Sequence, residues 1–271
     1  MRLFMNKKLL LTVLYLFNCR AMDQQHLEQE TRKFFADAFQ DFGLNAGEFE
    51  LKLDFPDSYQ VKGYASLKQK KIGLTRGIKA SKDVAEFCAN HEVAHCADTK
   101  LHFFQKYIEP TTQIGTHITS TMALTAGSIC LSDRILSKFI SELSPKAALA
   151  IAGTLFATCA IASIPFVPYL TRPLHYQFEH RANIGACKKL IQKNKFKGIA
   201  DFLVRLKAME LQGKSRTAFY HPPIKEEFAE IVSCLNAHDY DVRVRKFPEQ
   251  RVIDIQISKD GQEKAIFNAK Y

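Results

Sequence analysis

From Ala147 to Thr171 the chain carries no charged side chain, and this run limits the fold more than any other feature. An apolar stretch of that length is either the interior of a large core or a segment that crosses a bilayer, and it is long enough for the second. A second uncharged stretch, Pro110 to Ser132, comes before it. Its many Thr and Ser residues and His117 make it marginal alone. Together the two predict a transmembrane helical hairpin over 110–171, held by small residues. The intervening turn, Asp133 to Lys146, carries Arg134, Lys138 and Lys146, which the positive-inside tendency leaves in the cytoplasm. Both flanks then lie on the exported side, where residues from either end of the hairpin can meet. Residues 1–21, with Arg2, Lys7 and Lys8 ahead of the run Leu9 to Phe17, read as an export signal or a short N-terminal anchor.

A formal charge of +10 with 46% hydrophobic and 24% charged residues excludes a disordered chain. The basic residues are dispersed and surround no nucleic-acid motif, so membrane lipid is the expected charged partner and nucleic acid is not. Seven cysteines include no C-x-x-C pair, which argues against a cysteine zinc site, and their odd number and irregular spacing give no disulfide framework.

Ser81 to Lys100 reads as a helix with Ser81 as its N-cap. Val84, Phe87, Cys88, His91, Ala94, His95 and Asp98 recur at helical spacing on one stripe. Side chains at i and i+4 are neighbours, so the His91 and His95 imidazoles can grip one metal ion. Glu92 between them completes H-E-x-x-H, in which zinc acidifies a bound water and the glutamate carries the proton. Lys70 to Thr75 alternates like a strand, with Tyr59 to Leu67 as its partner; a strand beside such a helix can hold an extended peptide.

A catalytic zinc needs about three protein ligands and an open position. Thr171-Arg172-Pro173 reads as a helix start. On the helix that follows, Glu179 is the candidate third ligand, with His175 and His180 as alternatives. Asn183, one turn on, is placed to hydrogen-bond a ligand histidine. The competing reading makes Glu179 a surface acid paired with Arg181 or Arg172.

Four segments together resemble the membrane zinc metallopeptidases related to HtpX, the CAAX prenyl proteases and the mitochondrial Oma-type protease. Ile72 to Ile78 is similar to the strand and turn before that family's active helix. Glu86 to His95 is similar to the helix itself, Glu179 to Asn183 to its E-x-x-A-D motif, and Ala218 to Pro223 to its late His-Pro motif. The resemblance runs from about Asp23 to Cys234. It implies an α+β, zincin-like, mostly helical domain with a small sheet, one zinc held by His91, His95 and Glu179, and Glu92 as general base. It also implies His221 as a donor to the developing oxyanion, and a protein or peptide substrate. Two positions depart from the pattern: Asn183 stands for the family's Asp, and Glu227 for an arginine. They leave a second reading open, a catalytically silent relative that binds at a membrane.

The expected organisation is a signal or anchor at 1–21, a metallopeptidase domain at 22–240 interrupted at 110–171, and a β-rich appendage at 241–271. It acts at a membrane with the catalytic face on the exported side. Gln24 to Phe42, Phe196 to Leu211 and Ile224 to Leu235 read as further helices. Val242 to Arg245, Val252 to Ile257 and Lys264 to Phe267 alternate with period two and read as strands.

Overall fold

The computed structural model of the chain describes residues 25–54, 59–108, 110–111, 114–115, 117–125, 153–154, 157–158, 166–213 and 221–271. The chain divides into two compact units, one of Met1–Thr99 with Gln177–Tyr271 and one of Lys100–Tyr176. The segment 1–21, the turn Asp133 to Lys146 and most of the Ala147–Thr171 run lie outside the described residues.

The first unit is α+β. Helix α1 (25–41) leads to strands β1 (Glu50–Leu53), β2 (Tyr59–Ser66) and β3 (Lys71–Ala80), then to α2 (Lys82–Ala97). β3 is the central strand: β1 lies parallel to it with Leu51 opposite Ile72, and β2 antiparallel with Gly63 opposite Leu74. Helix α2 is buried on nearly every side, from Val84 to Asn90 and again from Glu92 to His95. Such a helix must be enclosed by two packed layers. On one side Ala85, Cys88, Ala89 and Val93 meet Ile72 and Leu74 of the sheet and Phe34, Phe35 and Phe39 of α1. On the other, Val84 and Phe87 enter a second core with Ile199 and Leu203. The expected stripe of α2 is therefore only part of its buried surface.

That second core is built on α5 (Phe196–Leu211) and α6 (Ile224–Asn236), with β4 (Asp241–Phe247), β5 (Val252–Lys259) and β6 (Gln262–Lys270) as an antiparallel meander. Period two places Ile253, Ile255 and Ile257 on one face, and all three are fully buried against α5 and its neighbours. Asp260 and Gly261 turn β5 into β6 with φ of 52° and 75°, a conformation that favours glycine at the second position. The stretch expected as an appendage thus contributes one wall of this core.

Ser81 caps α2 as expected: its Oγ accepts from Val84 N at 3.3 Å, and its hydroxyl donates to the fully buried Asp201 of α5. Asp201 also accepts from Arg205 Nε at 2.7 Å. Ser81→Ala should therefore lower the unfolding free energy by about 1–3 kcal/mol, the sum of a lost cap and a lost buried donor. Denaturant midpoints of the two proteins measure it.

The second unit is helical wherever it is described, beginning near α3 (Thr99–Phe103) and ending in the first part of α4 (Phe166–Gln192). Its threonines bond back along their own helices, as Thr121 Oγ1 does to His117 O at 2.6 Å. The expected transmembrane hairpin is corrected here. Among the described residues no helix is long and apolar enough to cross a membrane. α4 has the length, at 27 described residues, but is not apolar enough. It continues through Arg172, Glu179, Arg181, Lys188 and Lys189. Nor does a helix start at Thr171: α4 is already formed at Phe166, and Pro173 lies inside it.

Candidate metal centre

α2 presents His91 and His95 one turn apart, their rings edge-to-face with centroids 4.7 Å apart. α4 crosses α2 closely because Gly185 has no side chain; a Cβ there would lie 3.2 Å from that of Ala94. Arg181 Nε fixes the crossing by donating to Asp98 Oδ2 at the end of α2, at 2.6 Å. Glu179 is thereby aimed at the two imidazoles: Oε2 lies 3.3 Å from His91 Nε2, and Oε1 3.3 Å from His95 Nε2. The two Nε2 atoms are 3.1 Å apart.

These separations test the fit to a metal. Tetrahedral ligands with bonds of about 2.0–2.1 Å stand about 3.3 Å from one another. The two Nε2 atoms stand about one such edge apart, as does each Nε2 from the Glu179 oxygen nearer to it, Oε2 for His91 and Oε1 for His95. Two imidazole nitrogens and one carboxylate oxygen, with a fourth position open, are the donor set of a catalytic zinc site. Among the described residues His91, His95 and Glu179 form the one group able to hold an ion. The alternatives do not join it. His180 Nδ1 lies 3.0 Å from Glu230 Oε1, and His175 packs edge-on against Phe104 in the other unit. The arginines considered as surface partners for Glu179 bond elsewhere, Arg181 to Asp98 and Arg172 to Tyr176.

Burial shapes the titration of the group. It lowers His91 by disfavouring the imidazolium. In His95 the same desolvation is outweighed by the Glu179 hydrogen bond and nearby carboxylates, and the pKa rises. Glu179 is desolvated too, yet His221, His91 and His95 together hold it well below the ordinary carboxylate range. Burial pushes Glu92 up to about 7. His91 and His95 both leave Nδ1 buried with no hydrogen-bond partner among the described residues.

His221 belongs to the site by geometry, its Nδ1 3.0 Å from Glu179 Oε2. The residues before it in the late motif, 218–220, lie outside the described residues. Asn183 does not reach a ligand histidine. Its Nδ2 instead donates to Glu227 Oε1 at 3.3 Å, so the two positions that depart from the resemblance touch each other.

Sequence reasoning missed Gly63. A Cβ there would overlap Glu92 Oε1 at 2.2 Å, so the bare strand backbone makes room for that carboxyl. A glycine inside a strand was the available signal, since it marks a close approach. The strand edge expected to hold a peptide is narrowed to one candidate. β3 is paired on both sides, whereas the outer edge of β2 has no strand partner among the described residues.

No protein family matches the chain, and neither a curated protein nor a solved structure is significantly similar to it.

Proposed function

We propose that the chain is a zinc-dependent metalloendopeptidase. One observation carries this reading: Glu179 from α4 closes a three-donor group with His91 and His95, beside the Glu92 carboxyl. Bound zinc would supply an acidified water and polarise the scissile carbonyl. Glu92, buried with its pKa near 7, is suited to take a proton and return it to the leaving amine. His221, beside Glu179 and part-exposed, is the donor available to a developing oxyanion. The outer edge of β2 supplies main-chain groups to align an extended peptide next to Glu92.

The test is metal content of the purified full chain, measured for wild type, His95→Ala and Glu179→Ala. One zinc per wild-type chain and far less in both variants is expected. Equal metal in all three, or none in wild type after loading, would overturn the reading. A wild type that binds zinc but cleaves no unstructured protein substrate would favour the silent relative.

A further inference from the structure

α4 and the segment entering α6 touch at two levels. At the upper one, His221 meets Glu179. One helical turn along α4 from Glu179 stands Asn183, 0% exposed, against Glu227, 1% exposed, in the first turn of α6. Burying an ionised carboxylate is costly unless it is hydrogen-bonded. Glu227 gains from the positive end of the α6 dipole and from the Asn183 amide. The amide presents its NH2 to that carboxyl, the orientation an ionised carboxyl requires because it only accepts. The backbone N–H of Glu227 in turn bonds Pro223 O at 3.0 Å, two residues after His221. Glu227 is thus tied at one end to α4 and at the other to the His221 loop.

We propose that Asn183 and Glu227 form a positioning clamp. An amide donor on the ligand helix engages a carboxylate acceptor on α6, and the pair sets where His221 stands over Glu179. The inference rests on the reading above, in which Glu179 and His221 serve one site. What the clamp requires is one donor and one acceptor, not these two residues as such, and exchanging them tests that requirement.

Asn183→Asp, assayed above the pH at which the two carboxyls can share a proton, leaves two acceptors and no donor, and the clamp opens. Asn183→Asp/Glu227→Gln restores one donor and one acceptor with the roles reversed. The first readout is the ring resonances of His221 in zinc-supplied, 15N-histidine-labelled full chain, assigned with His221→Gln. They should move in Asn183→Asp and return in the exchanged pair. The second is kcat on an unstructured protein substrate. It should fall about 10–100-fold in the single variant, the range for lost outer partners of a metal site, and recover in the double. Unmoved resonances in Asn183→Asp, or no return in the double, overturn the clamp. If resonances move and return while wild type cleaves nothing, the clamp stands and the peptidase reading falls. If Asn183→Asp does not fold, the exchanged pair decides alone: wild-type resonances support the clamp and displaced ones overturn it.

Discussion

Glu92→Gln will keep zinc at one per chain and lose peptide hydrolysis by about 10²–10⁴-fold, the contribution of a positioned general acid–base. Glutamine matches glutamate in shape, and Glu92 is not among the three donors, so the metal group is untouched. An amide cannot shuttle the proton, which isolates that role. The pH profile provides a second check. Burial lifts Glu92 from 4.5 to about 7. The sign follows: a carboxyl whose folded pKa is raised favours folding fully below its unfolded value, and that contribution disappears as pH rises through the folded one. Metal-free wild type should therefore lose up to about 3 kcal/mol relative to Glu92→Gln between pH 4.5 and pH 8. Parallel denaturation of both proteins across that range measures the difference. A constant gap would show that Glu92 titrates normally, and full hydrolysis by Glu92→Gln would remove the general base from the reading.

What could be read from the chain alone was what depends on near neighbours. His91 and His95 are one turn apart in any helix, Ser81 is a cap wherever a helix begins after it, and Ile253, Ile255 and Ile257 share a face in any strand. Glu179 was reached in a different way, through a membrane hairpin that would return the chain to its starting side. Its position owes instead to Gly185 against Ala94 and Arg181 against Asp98, contacts between α4 and α2 that no local pattern announces. The hairpin expectation failed because hydropathy registers where charges are missing, not how far a helix extends; α4 carries on past the end of the run into charged residues. Asn183 and Glu227 looked like two separate departures because they are 44 residues apart, and only folding brings one to the other. The wall formed by β5 was hidden for the same reason, since the helices that cover its isoleucines lie elsewhere in the sequence.

Gly63→Ala should cut peptide hydrolysis by about 10²-fold while leaving zinc and stability close to wild type. The added Cβ would lie 2.2 Å from Glu92 Oε1 and 2.6 Å from its Cγ and Cδ, closer than any real contact allows. Something must retreat by about 1 Å, and a catalytic group misplaced that far costs about 10²-fold. β2 is held by its register with β3, Gly63 opposite Leu74 and Tyr64 opposite Gly73, so the Glu92 side chain is the softer partner. The fold itself has little to lose, because alanine inside a strand is about 0.5–1 kcal/mol better than glycine where it can be accommodated. An ordinary packing defect would lower stability and activity together; this change should separate them. Combination with Glu92→Gln sharpens the test, because residues that act through one another are not additive. If Gly63 matters only by making room for the Glu92 carboxyl, Gly63→Ala adds almost nothing once that carboxyl is an amide. A double variant lower than Glu92→Gln by the full effect of Gly63→Ala would assign the glycine a separate role along the β2 edge, where an extended peptide would lie.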